Sequence, residues 1–97
     1  MNVEYTRRAI VDLRKIAAAS RQAFGDRLAT ALEIRIRTAV AHISSQPFAA
    51  PAVEQRRGIR AFLLGRYPFK IFYRVFEDHV LILHIRHTAR RPWQEES

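Results

Sequence analysis

Two runs of aromatic and β-branched residues in the C-terminal third of the chain are separated by a very short polar break. The first run covers residues 69–76 and the second covers 80–85, with 77–79 (Glu-Asp-His) between them. Such side chains favour extended backbone, and a break of three residues or fewer permits only a tight turn. The stretch 66–93 therefore predicts two neighbouring antiparallel strands, around which the rest of the fold must be built.

Alternation along these strands predicts one apolar face and one mixed face. On the first strand the two sets are Phe69, Ile71, Tyr73 and Val75 against Lys70, Phe72, Arg74 and Phe76. On the second strand they are Leu81, Leu83 and Ile85 against Val80, Ile82, His84 and Arg86. We expect the uniformly apolar side to be core. The mixed side, with Phe72 or Ile82 exposed among cations, is typical of a surface that a partner covers.

The N-terminal half predicts a short strand followed by two helices. Residues 2–5 alternate polar and apolar side chains, and the Thr6 hydroxyl can cap a helix N-terminus. Apolar residues at helical spacing then extend to about Ala19, and residues 20–24 suggest a break or bend. A second apolar stripe begins at Gly25 and must end at Pro47, because the residue before a proline avoids the α region.

The order of these elements predicts an α+β fold. Residues 47–58 are typical of a loop, and residues 59–64 alternate weakly, as a strand does. We expect an N-terminal strand, a two-helix antiparallel hairpin and then a three-stranded antiparallel sheet, in the order β-α-α-β-β-β. The 97 residues fit one domain, with residues 92–97 as a tail.

Arginine dominates a strongly basic composition. The formal net charge is +8, and lysine occurs only at Lys15 and Lys70. Arginine forks match the geometry of phosphates and carboxylates, so we expect an anionic partner, either nucleic acid or an acidic protein. The chain has no cysteine, which excludes disulfides and thiolate chemistry.

The sequence indicates neither a membrane segment nor a bound metal. Residues 1–5 lack an apolar signal core, and no apolar run is long enough to span a bilayer, so the default location is cytoplasmic. The histidines lack metal-ligand spacing with acidic residues. Gly25, Gly58 and Gly65 stand alone rather than in a phosphate-binding loop. We expect no metal and no cofactor.

The final hairpin and the segment after it resemble the RelE/ParE superfamily of type II toxin–antitoxin toxins. The resemblance is carried by residues 67–75 (Tyr-Pro-Phe-Lys-Ile-Phe-Tyr-Arg-Val), by Glu77-Asp78 and by residues 87–90 (His-Thr-Ala-Arg), and it extends from Val3 to about Pro92. It is closest to the ParE branch. The resemblance implies a cytoplasmic toxin that inhibits DNA gyrase and is neutralised by a cognate, ParD-like antitoxin in a toxin–antitoxin hetero-oligomer.

Two other functions remain open within that resemblance. A RelE-like toxin would cleave mRNA on the ribosome, with Lys70 and Arg90 at the scissile phosphate. No tyrosine follows Tyr73, so His84 or His87 would have to act as acid or base. A remnant without activity would only bind its antitoxin and help to repress their operon.

The candidate site residues divide by the partner they would meet. For the target or another anion they are Lys70, Arg74, Arg86, Arg90, Arg91 and Trp93. For the antitoxin they are Leu28, Leu32, Phe72, Arg74 and Ile82. The antitoxin should supply an acidic, amphipathic segment that folds on binding. Simpler roles compete: His87 can be a histidine at the core edge, and Tyr67 and Tyr73 are typical packing residues.

Overall fold

The computed structural model describes residues 1–88, and the predicted order of elements, β-α-α-β-β-β, is present in them. The strands and helices are β1 (Asn2–Tyr5), α1 (Arg7–Phe24), α2 (Asp26–Ser45), β2 (Ile59–Leu63), β3 (Phe69–Val75) and β4 (His79–His87). The predicted tail, together with Arg90, Arg91 and Trp93, lies outside the described residues. The α+β class and the helical hairpin are confirmed.

The sheet is mixed rather than purely antiparallel. Its strand order is β1-β4-β3-β2. The β2–β3 and β3–β4 pairs are antiparallel, as predicted. However, β1 joins the outer edge of β4 in parallel. Parallel neighbours require a long crossover connection. Here the connection from β1 to β4 contains both helices and the strands β2 and β3.

The predicted break in the first helix is wrong. Helix α1 continues to Phe24, and one residue, Gly25, separates it from α2. The Gly25 amide donates to the carbonyl of Arg21 at 2.9 Å, and its own carbonyl accepts from Ala29 at 3.2 Å. With φ at +86°, Gly25 adopts a conformation that costs a residue with a Cβ. Residues 20–24 contain neither glycine nor proline, so α1 continues until Gly25 ends it.

A β-bulge in β4 overturns the predicted faces of that strand. Phe72 pairs with His84 and Tyr73 pairs with Ile82, which leaves Leu83 as an extra residue. A bulge shifts the pleat by one residue. Val80 and Ile82, both 0% exposed, therefore face the helices together with Ile85, and Leu81 lies opposite Arg74 on the other face. The expectation that Leu81 and Leu83 line the core, and Val80 and Ile82 do not, is wrong.

The core lies between this sheet face and the helices. Its strand residues are Leu64, Ile71, Tyr73, Val80, Ile82 and Ile85, and its helical residues are Ala9, Leu32, Ile36, Ala39, Val40 and Ile43. Tyr73 is fully buried, and its hydroxyl donates to the carbonyl of Pro47 at 2.7 Å. The core thus also anchors the chain where it leaves α2.

The start of α1 holds the bulge in place. Thr6 is the N-cap, as predicted: its hydroxyl oxygen accepts from the amide of Ala9 at 3.0 Å. The same hydroxyl donates to the carbonyl of the extra residue Leu83 at 2.8 Å. The Thr6 amide donates to the carbonyl of Ile82 at 3.0 Å. One threonine therefore satisfies both the helix end and the irregular strand.

Candidate functional site

The sheet face turned away from the helices, called the open face below, collects most of the predicted site residues. Lys70, Phe72 and Arg74 project from β3, and His84 and Arg86 from β4. Lys70 lies directly opposite Arg86, and Phe72 lies directly opposite His84. The opposed Lys70 and Arg86 make this part of the open face basic.

His84 is held rigidly in this surface by α1. Its Nδ1 atom lies 2.6 Å from Oδ2 of Asp12, and the same oxygen accepts the backbone amide of Ile85 at 3.0 Å. The imidazole stacks on Phe72 with ring centroids 5.9 Å apart and planes 16° from parallel. His84 is 6% exposed. It is therefore a buried, oriented group and not a solvated surface histidine.

Burial lowers the pKa of His84 below its ordinary value of 6.5. The Asp12 carboxylate opposes this shift, and the nearby cations Arg8 and Arg86 add to it. The neutral imidazole is therefore favoured near pH 7, with the Nδ1 hydrogen donated to Asp12. Asp12 joins the candidate site through this contact and was not among the site residues predicted from the sequence. The available signal was that it is the one acid in a helix otherwise rich in cations.

A cavity of about 300 Å³ opens beside Lys70 and Phe72. Its walls are Pro51, Ala52, Val53, Gln55, Arg56, Ala61, Leu63, Lys70 and Phe72. Sequence reasoning missed it because residues 47–58 were expected to form an irregular loop. In fact the Val53 amide donates to Ile59 at 2.8 Å, and the Ala61 amide donates to Pro51 at 3.1 Å. This pairing holds the loop against β2 and closes one side of the cavity, whose size suits a single side chain or a base.

The comparisons with known proteins agree with this geometry. The family model described as "ParE toxin of type II toxin-antitoxin system, parDE" matches residues 3–92. The chain belongs to the ParE toxin family. A chain in a solved structure titled "Chromosomal ParDE TA system from P. aeruginosa" superposes on this ParE-family toxin with a TM-score of 0.80. The two are 26% identical, over 92% of this chain and 97% of that chain. No curated protein sequence matches it significantly.

The resemblance inferred from residues 67–75 and 87–90 is thereby confirmed at the level of the family. The chain is a ParE-family toxin of a type II toxin–antitoxin system. Membership does not by itself identify which residues of the ParE-family chain meet a target or an antitoxin. Those assignments depend on where the structure places each side chain.

Burial separates the residues that were predicted to bind an antitoxin. Phe72 is 6% exposed and Ile82 is 0% exposed, so the expectation that either is exposed on the mixed face is wrong. Leu32 is also in the core. Leu28 is 52% exposed, and Phe24, on the other side of Gly25, is 68% exposed. We call Phe24 and Leu28 the hairpin tip; its apolar side chains are available to a partner.

The residues predicted for RNA cleavage are only partly brought together. Lys70 and His84 share the open face of the ParE-family chain. His87 pairs with Phe69, contacts its ring edge-on at 5.3 Å and belongs to the other face, at the edge of the core. Arg90 lies outside the described residues. Of the two candidate histidines, His84 is the one that shares a face with Lys70.

Arg74 lies over the loop that precedes β2. A Cβ atom built at Gly58 would come within 3.0 Å of Arg74 Nη1. Gly58 has a φ of +78°, which disfavours residues with a Cβ. The position therefore favours glycine both because of this backbone conformation and because Arg74 lies so close. Arg74 thus contributes to the shape of the loop as well as to the charge of the open face.

Within residues 1–88, no group of three or more potential ligands among histidine, aspartate and glutamate could hold a metal ion. The same part of the chain contains no helix of the length and apolar character required to cross a bilayer.

Proposed function

We propose that this ParE-family toxin acts by binding DNA gyrase through the open face, without catalysing a reaction of its own. The observation that carries the proposal is the opposed pair Lys70 and Arg86, which flanks the stacked Phe72 and His84. Lys70 also borders the cavity, whose walls include the exposed Leu63, and cations beside accessible apolar surface are typical of a protein-binding surface. The site is rigid, because α1 fixes His84 and the loop 51–56 bounds the cavity.

Silencing by a cognate antitoxin accounts for the remaining exposed features. The hairpin tip presents apolar surface, and the chain as a whole is strongly basic. A ParD-like antitoxin with an acidic, amphipathic segment is complementary to both. Apolar burial is not screened by salt. The affinity of the toxin–antitoxin pair is therefore expected to fall only modestly between low and high salt, and loss of most binding at high salt would contradict this.

The deciding experiment is a gyrase supercoiling assay with purified, antitoxin-free protein. We expect inhibition of supercoiling, accompanied by accumulation of cleaved DNA. The preparation must first be shown to be folded and to arrest growth when expressed. Unaffected gyrase in that preparation would reject the proposal and direct attention to cleavage of mRNA on the ribosome. A folded chain that fails to arrest growth would instead support the inactive remnant that only binds its antitoxin.

One observation favours the ribonuclease alternative: Lys70 lies on the same face as His84, and Asp12 fixes the imidazole orientation. A carboxylate on Nδ1 is the usual way to orient a histidine base. The alternative requires that His84→Asn abolish ribosome-dependent cleavage while the chain stays folded. If the His84→Asn chain keeps full activity, this mechanism is excluded.

A further inference from the structure

Basic residues recur in pairs every seven positions along α1. The pairs are Arg7-Arg8 and Arg14-Lys15, and a third position begins with Arg21. Seven residues rotate around the helix axis by about 20° less than two full turns. Successive pairs therefore lie almost directly above one another on a single side of the helix. The buried and half-buried residues Ala9, Leu13 and Ile16 are on the opposite side. We call Arg7, Arg8, Arg14, Lys15 and Arg21 the basic stripe.

The basic stripe is almost free of compensating acid. Its members are exposed, and within residues 1–88 the one ion pair that involves any of them joins Arg21 to Asp26 at 3.4 Å. Asp12, the only acid in α1, is turned away toward His84 and Ile85. Helix α2 differs, because Glu33 pairs there with Arg37 at 2.8 Å. Within α1, the positive charge is therefore concentrated on one side of the helix.

Helix stability does not explain this arrangement. Arg7 and Arg8 occupy the first turn of α1, which contains no acid. Cations at that end are repelled by the helix dipole, and anions would be favoured there. The stacked pairs of the basic stripe also repel one another. A feature that works against its own helix indicates selection for a partner rather than for folding.

We propose that the basic stripe binds the phosphate backbone of double-stranded DNA without reading its sequence. Successive pairs are about 10.5 Å apart along the helix axis, at about 1.5 Å per residue. Residues 7–21 therefore carry cations along about 21 Å of one side of the helix. An extended row of cations suits the regularly repeated charges of a duplex backbone, and arginine suits phosphate geometry.

The composition between the cations favours a duplex over other anionic partners. Val11 and Ala18 lie within the basic stripe, and no aromatic residue does. Single-stranded nucleic acid is held by aromatic side chains on which bases stack. Protein partners are held by aromatic or bulky anchors in pockets. Small side chains between cations instead allow a smooth, close approach to a regular backbone. The inference concerns α1 alone and does not rest on the gyrase proposal.

Fluorescence anisotropy with a labelled duplex of arbitrary sequence, about 20 base pairs long, tests the proposal at several salt concentrations. The full chain is used, purified without antitoxin. Neutralising about five phosphates predicts a slope of about −4.5 for log affinity against log salt. In R14Q/K15Q the slope should become about 2 units shallower, with affinity about tenfold weaker near physiological salt.

The matched control is R27Q/R37Q, which removes two exposed cations from α2 and changes net charge equally. We expect its affinity to stay within about twofold of the parent chain. Thermal unfolding followed by circular dichroism checks that all three proteins are folded. An equal loss in both variants, or an unchanged slope in R14Q/K15Q, would overturn the proposal. So would tighter binding of a single strand of the same length, or equal competition by a polyglutamate peptide.

Discussion

Asp12 on the first helix contacts His84 on the last described strand through Oδ2 and Nδ1, 2.6 Å apart, and accepts the amide of Ile85 with the same oxygen. This contact closes the β4 edge where β1 has ended, since β1 pairs only as far as Ile82. A strand edge left without a partner would expose a backbone donor. One carboxylate therefore fixes the histidine, satisfies the strand and ties α1 to the sheet.

Removing that carboxylate should destabilise the chain markedly. Asp12→Ala loses hydrogen bonds to a charged acceptor and leaves partly buried donors unsatisfied, so we expect a loss of about 2–3 kcal/mol in the free energy of unfolding. Urea denaturation measures it. Glu33→Ala removes an exposed carboxylate that pairs with Arg37, and it should cost less than about 1 kcal/mol. Similar losses in both variants would mean that the Asp12 contacts stabilise the fold no more than an exposed ion pair does.

The buried imidazole makes stability depend on pH. Burial lowers the pKa of His84 in the folded chain below the 6.5 of the ordinary group. The unfolded chain then binds the proton more readily, and stability falls as the pH is lowered through 6.5 toward the folded value. We expect lower urea midpoints in mildly acidic buffer. His84→Gln should remove this part of the pH dependence, whereas His42→Gln, at an exposed position of α2, should keep it.

An NMR titration of the histidine side chains checks the same prediction without a variant. The His84 resonances should shift with a midpoint below 6.5. A midpoint above 6.5 would show that the attraction of Asp12 outweighs burial, and the stability trend would then reverse in sign.

The buried phenol of Tyr73 offers a second test of the core. Tyr73→Phe keeps the ring but leaves the carbonyl of Pro47 without its donor at 2.7 Å. We expect a loss of about 1–2 kcal/mol in unfolding free energy. Tyr67→Phe, at a half-buried tyrosine, should change stability by less than about 0.5 kcal/mol. Equal effects would contradict a specific role for the Tyr73 hydroxyl.

Two glycines with similar backbone provide a test of the loop next to Arg74. Gly58 and Gly65 have φ values of +78° and +75°, so alanine at either position pays the same backbone penalty of roughly 1–2 kcal/mol. Only at Gly58 would the new Cβ meet Arg74 Nη1, at 3.0 Å, while Gly65 has open space. Gly58→Ala should therefore be the more damaging substitution in thermal unfolding, and the reverse order would refute the placement of Arg74.

Charge reversal on the open face should separate target binding from folding. Under the gyrase proposal, Lys70→Glu places an anion opposite Arg86 and should weaken gyrase inhibition at least tenfold, since reversing one interface charge costs a few kcal/mol. Arg37→Glu makes the same charge change on exposed α2 and should inhibit nearly as well as the parent chain. Undiminished inhibition by Lys70→Glu would move the target surface away from the open face.

The order of elements could be predicted because each one has a strong local signal. Alternation defines β3, the apolar stripe defines α2, and Thr6 has the chemistry of a cap. The bulge at Leu83 could not be predicted, because Val80 to Ile85 are all apolar except His84 and two registers bury them almost equally well. The choice between those registers is made by Thr6 and Asp12, which are distant in sequence and reach the strand only in the folded chain.

The site was predicted less well than the fold for the same reason. Lys70, Arg74 and Arg86 were placed on one face by alternation along single strands, and the structure has them there. The exposure of Phe72 could not be inferred from β3 alone, because it depends on His84 across the strand and on the loop 51–56 above it. Contacts of this kind leave no pattern in the local sequence, because they depend on how segments that are distant in the sequence pack against each other.

The parallel pairing of β1 with β4 has a consequence for how the chain is made. Within residues 1–88, β1 is an edge strand whose one neighbour in the sheet is β4, and its partner residues begin at His79. A nascent chain therefore carries its first strand unpaired until residues 79–87 have left the ribosome. Since such long-range pairings form slowly, and synthesis adds about 5–20 residues per second, the open face is not assembled while the helices are being translated. The open face therefore forms late, together with the closing of the sheet.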